Sequence, residues 1–176
     1  EKKYDKIAGS YIDIYNQRSQ KEYLCDLGKK NEVYRITGDP KIYYNKFLTS
    51  IINHTNSKSV MEIGAGELTN ILDLKKNKAC FKKIFALDIS YKRLIKGRKF
   101  LGKHKIKIDN LIKADASNIP LNNNSIDLLF TSHCLEQVPH LAKKIIKEMI
   151  RVAKNYIVFI EPSYEFGSKI TKNRIY

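Results

Sequence analysis

Two glycines and two glutamates stand close together in the stretch VMEIGAGELTN at residues 60–70. Gly64 and Gly66 allow the backbone to turn tightly and to approach a ligand closely. A pyrophosphate would need the bare amides and the positive end of the helix that follows. Glu67 instead adds a negative charge there, which costs roughly 1 kcal/mol or more against an anion. Because Thr69 also replaces the third glycine of a dinucleotide-binding turn, the stretch disfavours NAD and FAD and favours a ligand with a cationic amine.

Two further carboxylates follow the next two apolar runs. Asp88 ends the run KIFALD, where an acidic residue can accept hydrogen bonds from both ribose hydroxyls of an adenosine. Asp115 follows the run NLIKA, where a carboxylate can accept from the exocyclic amine of an adenine. A helix cap is the plainer alternative for Asp88, and a turn before Pro120 is the alternative for Asp115. We prefer the ligand-binding interpretation for both, and the glycine turn upstream strengthens it for Asp88.

A parallel sheet would bring these residues together. Short apolar runs predict five buried strands, at 59–63, 83–88, 110–114, 125–130 and 156–160. Helical patterns lie between them, at 68–75, 90–101 and 141–153. This alternation predicts an α/β fold with a doubly wound, mostly parallel sheet, on which ligands bind beyond the carboxyl ends of the strands.

The N-terminal third differs in composition from the rest. It is rich in Tyr, Lys, Asn and Ile and shows no strand alternation. Asp39 is placed to cap, and Pro40 to begin, an amphipathic helix over 40–54. We therefore predict a helical N-terminal cap over 1–56 and a ligand-binding domain over 57–176.

The net charge of the chain is +15, from 33 Lys and Arg against 18 Asp and Glu. Such a charge is expected of a protein that binds nucleic acid. The basic residues are mostly lysines, however, and they are spread along a chain that is also rich in Asn and Ile. The codon bias of an AT-rich genome produces the same composition, and we favour that explanation.

Three scattered cysteines, Cys25, Cys80 and Cys134, form no CxxC pair, so we predict no metal site. Their number and spacing fit a reducing, cytoplasmic compartment. No apolar run approaches the ~20 residues that span a bilayer, and we recognise no secretory leader. We therefore expect no membrane association, and the sequence does not indicate an oligomeric state.

Three runs taken together are similar to the seven-strand S-adenosylmethionine-dependent methyltransferases of the small-molecule type. They are EIGAGE, LDIS and KADASNIPLNNNSIDLLFTSHCLEQV, and the resemblance covers about residues 57–161. It implies a Rossmann-like fold, S-adenosyl-L-methionine as the cofactor, and an enzyme that transfers a methyl group to an O, N or C nucleophile.

The resemblance also assigns a part of the cofactor to each motif. The implied contacts are Glu62 and the turn Gly64-Ala65-Gly66 to the methionine moiety, Asp88 to the ribose, Ile89, Asp115 and Ala116 to the adenine, and Ser132 and His133 beside the methyl group. In relatives a helical N-terminal segment often covers the cofactor. We therefore expect Tyr11 or Tyr15 to stack near the cofactor and Arg18 or Arg35 to reach its carboxylate. Tyrosines that merely pack a helical cap are the alternative.

The sequence departs from the family pattern in two ways. The family sheet ends with an antiparallel hairpin, whereas this sequence stops shortly after the fifth predicted strand, so we expect a fragment or a short form. Many relatives begin the next helix with Leu-Glu-His, but here the triplet is Leu135-Glu136-Gln137.

A catalytic base is needed only if the acceptor must lose a proton. His133 is the preferred base because imidazole is near neutral at physiological pH. Glu136 and Glu161 are weaker candidates, and a packing role is the alternative for His133. Enzymes that N-methylate nucleobases or glutamine usually have an N/D-P-P-Y/F motif at this position. Residues 131–134 are Thr-Ser-His-Cys instead, so that chemistry is disfavoured.

Cytosine C5 methylation would need a nucleophilic cysteine. An imidazolium beside Cys134 would lower its thiol pKa, but the sequence pattern of those enzymes is absent. Two rival hypotheses remain: an RNA methyltransferase that uses its basic surface, and a module that binds cofactor or a partner without turnover.

Overall fold

The computed structural model describes residues 1–18, 22–26, 33–108, 110–163 and 172, and only the backbone within 22–26 and 33–37. The N-terminal segment contains α1 (Lys2–Lys6), α2 (Ser10–Gln17), β1 (Glu22–Asp26), β2 (Val33–Thr37) and α3 (Lys41–His54). β1 and β2 form an antiparallel pair separate from the main sheet. An entirely helical segment was expected, and that expectation is wrong over these ten residues. The structure therefore does not describe the side chains of Cys25 and Arg35.

The main sheet has five strands, all paired in parallel. They are β3 (Ser59–Ile63), β4 (Lys83–Asp88), β5 (Asn110–Lys113), β6 (Ile126–Ser132) and β7 (Ala153–Ile160). Their order across the sheet is β5-β4-β3-β6-β7. Strands β4 and β5 are therefore added on one side of β3, and β6 and β7 on its other side, so the order of strand addition reverses between β3 and β6. The doubly wound sheet predicted from the apolar runs is confirmed, and a cleft is expected where the order reverses.

Three helices connect these strands: α4 (Thr69–Lys76), α5 (Tyr91–Lys103) and α6 (Ala142–Val152). The core is divided by the sheet into two apolar clusters. One cluster joins α3, α4 and α5 to one face of the sheet, with Leu48, Ile71 and Leu94 fully buried. The other joins α6 to the opposite face through Ile145 and Met149. No helix among the described residues is long and apolar enough to cross a membrane.

Candidate functional site

A cavity of about 180 Å³ opens at the carboxyl ends of β3, β4, β5 and β6. Nine of the ten expected cofactor contacts line it: Glu62, Gly64, Ala65, Asp88, Ile89, Asp115, Ala116, Ser132 and His133. Gly66 is the exception. The N-terminal segment closes the other side of the cavity with Lys3, Tyr4, Ile7, Tyr11 and Lys41. The motifs that follow four different strands therefore lie around the same cavity.

The glycine turn after β3 is fixed to the end of β4. Gly64 and Gly66 have φ values of +71° and +53°, a region that favours glycine. The amide of Gly66 donates to Oδ2 of Asp88 at 2.8 Å. A Cβ on Gly64 would lie 2.3 Å from Sγ of Cys134, and one on Gly66 would lie 2.4 Å from Nη2 of Arg93. The positive φ favours glycine at both positions, and at Gly64 the side chain of Cys134 also leaves no room for a Cβ.

The carboxylate of Asp88 joins the glycine turn to the start of α5. Its Oδ1 accepts from the amide of Ser90 at 2.8 Å, and its side chain is almost fully buried. Ser90 is the N-cap of α5, and its hydroxyl accepts from the amide of Arg93 at 3.2 Å. Because each carboxylate oxygen can accept more than one hydrogen bond, Asp88 can fasten the turn and still accept from a ribose.

Asp115 lies at the far end of the cavity, after β5. Its Oδ1 accepts from the amide of Ser117 at 2.8 Å, which lowers the pKa of the carboxyl. This is the turn predicted as the alternative role for Asp115. The residue also lines the cavity, so the turn presents an ionised carboxylate to whatever binds there.

Glu62 is the most unusual group in the cavity. Its side chain is buried, and Oε1 accepts from Nδ2 of Asn70 at 2.7 Å. Oε2 is buried and has no hydrogen-bond partner among the described residues. Burial raises the pKa of Glu62 to about 8, against the opposing effects of Asn70 and Lys41. A cationic amine would satisfy the orphaned oxygen, so the residue fits the methionine ammonium of the expected cofactor.

Glu67 proves to be a structural anchor. Its two oxygens accept from the amides of Gly9 and Ile12, both at 2.9 Å, so the carboxylate caps the start of α2. Nε of Arg93 adds a contact at 3.3 Å. A Cβ on Gly97 would come within 2.7 Å of the Glu67 carbonyl oxygen, so glycine there lets α5 approach the turn. The sequence showed the charge of Glu67 and gave no sign of these partners.

Asp73 holds a second anchor, also missed from the sequence. Arg18 donates to it with both Nη atoms at 2.6 Å, and Tyr15 donates at 2.9 Å. Asn45 donates to Asp73 at 2.9 Å and to Asn70 at 3.1 Å, which extends the network to Glu62. A signal was present: Asp73 interrupts the apolar run of α4, and a buried carboxylate requires partners.

This network corrects one expectation about the N-terminal segment. Arg18 or Arg35 was expected to reach the methionine carboxylate. The guanidinium of Arg18 is engaged by Asp73 instead, and the side chain of Arg35 is outside the described part of the structure. Tyr15 packs edge-on against Phe100 and does not line the cavity at the strand ends, whereas Tyr11 does line it. Lys41, which sequence analysis overlooked, is a basic side chain in the cavity wall.

His133 lies at the mouth of the cavity, just past β6. Its φ of +53° is unusual for a residue with a side chain. Nδ1 lies 2.9 Å from Oε1 of Glu136, and the imidazole is 31% exposed. The ring of Tyr44 lies 6.4 Å from the imidazole, measured between centroids. Glu136 therefore orients His133, a role distinct from the independent base considered for it.

Two neighbours of His133 have structural roles. Glu161 accepts from the amides of Cys134 and Leu135 at 2.9 and 3.1 Å, so it caps the short turn after β6. Burial raises the pKa of Cys134 to about 12, and the nearby carboxylates Glu161, Asp88 and Glu62 add to this effect. The suggestion that His133 lowers this pKa is wrong, and the thiol is not activated as a nucleophile.

Comparison with known proteins agrees with this architecture. An S-adenosylmethionine-dependent methyltransferase from Clostridium acetobutylicum has a TM-score of 0.57 at 16% identity, over 85% of this chain and 55% of that one. A putative S-adenosyl-L-methionine-dependent methyltransferase from Methanococcus maripaludis has a TM-score of 0.55 at 24% identity, over 75% and 60%. One from Aquifex aeolicus has a TM-score of 0.52 at 21% identity, over 68% and 66%.

At these identities the likeness shows a common fold, and the chain spans 55 to 66% of the lengths of the three structures. No curated protein sequence matches the chain significantly. The family model of the methyltransferase domain matches residues 61–159, which is more than half of the chain. Because this match runs from β3 to β7 and includes the motifs around the cavity, the chain belongs to the methyltransferase domain family, whose cofactor is S-adenosylmethionine.

Proposed function

We propose that the protein methylates a small-molecule acceptor at the mouth of this cavity. The observation that carries the proposal is the pairing of two unlike groups at the ends of adjacent strands. Glu62 on β3 has a buried oxygen without a partner in the described part of the chain, and the imidazole of His133 after β6 is oriented by Glu136. The first suits a bound ammonium, and the second suits an acceptor that must lose a proton.

The residues of the cavity wall suit the parts of the cofactor in turn. Glu62 would accept from the ammonium, and Lys41 would pair with the carboxylate, because Arg18 is engaged by Asp73. Asp88 would accept from the ribose, and Asp115 from the adenine amine. When bound, the cofactor supplies an electrophilic methyl group.

The protein contributes alignment and a route for the proton of the acceptor. The carboxylate of Glu136 favours the imidazole tautomer with hydrogen on Nδ1, which leaves the lone pair of Nε2 free to act as a base. A hydroxyl or amine held near Nε2 would lose its proton to His133 as its oxygen or nitrogen takes up the methyl group, whose bond to the cofactor sulfur breaks with the electron pair left on sulfur. His133 would then release the proton to solvent, to which it is partly exposed.

The surroundings of His133 indicate the kind of acceptor. The ring of Tyr44, on α3, lies beside the imidazole at an interplanar angle of 37°. Aromatic side chains favour planar, partly apolar ligands through stacking. The aromatic side chain beside His133 therefore favours a phenol or a heteroaromatic hydroxyl as the methyl acceptor.

RNA as the methyl acceptor has less support. The loops at the opposite, amino-terminal ends of the strands contain many exposed lysines, and a basic surface there does not lead into the cavity. A module without turnover is the other alternative. It would bind the cofactor normally but would transfer no methyl group, so kinetic measurements distinguish it from the proposal.

Calorimetric titration with S-adenosylhomocysteine is the first test, with NAD as the control ligand. We expect binding that Asp88→Ala abolishes, and binding of NAD in its place would contradict the proposal. Labelled methyl transfer to a panel of phenols follows. His133→Ala should lower kcat by about 10²- to 10⁴-fold, with cofactor affinity unchanged.

The exposed His140 offers a matched control, since His140→Ala removes an imidazole outside the cavity wall and should leave kcat unchanged. Glu136→Gln should lower kcat by about tenfold, less than removal of the base itself. Normal cofactor binding without transfer to any phenol would contradict the proposal and favour the module without turnover.

A further inference from the structure

The amino-terminal ends of β3, β4 and β5 form a basic surface on the side of the sheet opposite the cavity. We call it the basic edge and define it by its exposed lysines: Lys58, Lys76, Lys78, Lys82, Lys83, Lys103, Lys105 and Lys107. These lysines come from three loops that are far apart in the sequence. The parallel topology brings the loops together, because all the strands begin at the same side of the sheet.

Hydrogen bonds and strand register join the three loops into one surface. The amides of Lys82 and Lys83 donate to the carbonyl oxygen of Lys58 at 2.8 and 3.0 Å. Asn110 pairs with Phe85 in register and donates to the carbonyl oxygen of Ile84 at 3.1 Å. The loop that carries Lys105 and Lys107 therefore lies beside the start of β4.

Negative charge is nearly absent from this surface. The segments 53–58, 75–83 and 102–108 contain no Asp or Glu. Asp127, at the start of β6, is half-buried, and its Oδ2 accepts from the amides of Lys58 and Ser59 at 3.0 and 2.9 Å. Asp109 precedes β5 and lies outside the described residues. The lysines are consequently not neutralised by adjacent carboxylates in the described part of this edge.

Helix capping accounts for only part of the pattern. Lys76 and Lys103 lie in the last turns of α4 and α5, where a cation interacts favourably with the helix dipole. The other six lysines of the basic edge lie in loops or at the first residue of a strand. Like charges held this close raise the energy of the folded state, so neither capping nor stability explains them. Codon bias accounts for many lysines along the chain, but it does not account for their grouping at one edge whose three segments contain no Asp or Glu.

We infer that the basic edge binds the phosphodiester backbone of a nucleic acid. Lysines at the ends of three adjacent strands, about 10 Å across, match about three successive phosphates of one nucleic-acid strand, which rise about 3.4 Å each. The large apolar side chains that are exposed in the described structure lie outside the three lysine-bearing loops, so this surface offers nothing to insert into a lipid bilayer.

The location separates this binding from methyl transfer. Strands of four to six residues separate the basic edge from the cavity by roughly 13 to 20 Å, so a bound nucleic acid would tether the protein and would not present a base to His133. This inference does not rest on the proposed acceptor. It would hold even if the protein methylated nothing.

Fluorescence anisotropy with labelled RNA and DNA strands of about 20 nucleotides tests the inference. Binding should occur with both probes and should weaken at least about tenfold between roughly 50 and 200 mM salt, since counterion release dominates such contacts. No binding at the lower salt would overturn it. Tighter binding to anionic lipid vesicles than to either strand would also overturn it, in favour of a membrane partner.

Two variants of equal net charge locate the surface. Lys82→Glu, Lys83→Glu and Lys107→Glu together should weaken binding by about tenfold or more. The control combines Lys46→Glu, Lys143→Glu and Lys147→Glu, three exposed lysines elsewhere, and should change the affinity by less than about threefold. Equal losses in both variants would mean that only net charge matters and would overturn the assignment.

Two further measurements complete the test. Thermal unfolding midpoints must match wild type in both triple variants, and if the edge variant is destabilised the corresponding glutamines replace the glutamates. Saturating S-adenosylhomocysteine should leave the affinity for RNA unchanged. Competition between the two ligands would place the nucleic acid at the cavity and would contradict the inference.

Discussion

The two ends of the central sheet carry charge of opposite sign in opposite physical states. Around the carboxyl ends, Glu62, Glu67, Asp73 and Asp88 are almost fully buried, and each accepts hydrogen bonds from defined donors. At the basic edge the lysines are exposed and project from loops. One end therefore uses charge to fix a structure, whereas the other leaves its charge available to solvent and to partners.

This difference follows from the cost of burial. A carboxylate removed from water must regain its hydrogen bonds within the protein, so its position constrains every donor around it. An exposed ammonium stays hydrated, and its contribution to stability is small. The buried carboxylates should therefore be intolerant of substitution, and the exposed lysines tolerant of it.

Asp73→Ala should have the largest effect on stability. It leaves the nearly buried Arg18 without its bidentate partner and removes an acceptor from Tyr15 and Asn45. We expect a loss of about 3 kcal/mol in the free energy of unfolding, measured by urea denaturation. Asp73→Asn keeps one acceptor and should lose less, and an unchanged midpoint in the alanine variant would contradict this account of the anchor.

Glu67→Gln should have a smaller effect, which is concentrated in the N-terminal segment. One of the two oxygens that accept from Gly9 and Ile12 becomes an amide donor, which leaves a helix-terminal N–H unsatisfied. The expected loss is about 2 kcal/mol. Hydrogen exchange should show faster exchange in α2, and if α2 kept its protection then Glu67 would not be its anchor.

Glu62 provides a test that depends on pH. Because burial raises its folded pKa to about 8, above the ordinary 4.5, the stability it contributes is complete below pH 4.5 and is lost as the pH rises through about 8. An ammonium ligand favours the ionised form. Below pH 8, binding of S-adenosylhomocysteine should therefore release close to one proton from Glu62, and the affinity should increase as the pH approaches 8.

Calorimetry in two buffers with different ionisation enthalpies measures this proton release. Glu62→Gln should abolish it and should weaken binding by about tenfold, since a charge-assisted hydrogen bond becomes a neutral one. A wild-type binding enthalpy that is the same in both buffers would show that Glu62 does not titrate on binding.

The same contrast explains what sequence analysis could predict. The five strands of the sheet and the nine strand-end residues that line the cavity were predictable, because apolar runs and strand-end motifs are local patterns. The partners of Glu67 lie 55 and 58 residues away, and those of Asp73 are also distant. No local pattern encodes such contacts, so two buried anchors were missed.

The strand pair in the N-terminal segment was missed for a different reason. β1 and β2 are only five residues each and pair with one another outside the main sheet. Neither strand is a long apolar run, and helical patterns flank the pair on both sides. In contrast, β3 is apolar along most of its length because both faces of the main sheet are covered.

The lysines of the basic edge should give the smallest effects of all. Lys82→Gln and Lys107→Gln remove charge from exposed side chains of the basic edge, so each should change the free energy of unfolding by less than about 0.5 kcal/mol. Removal of repulsion between neighbouring lysines should make any change slightly stabilising at low salt and absent at high salt. Urea denaturation at two ionic strengths measures both quantities. A substantial loss in either variant would mean that the lysine supports the fold, and the contrast between the two ends of the sheet would then fail at that position.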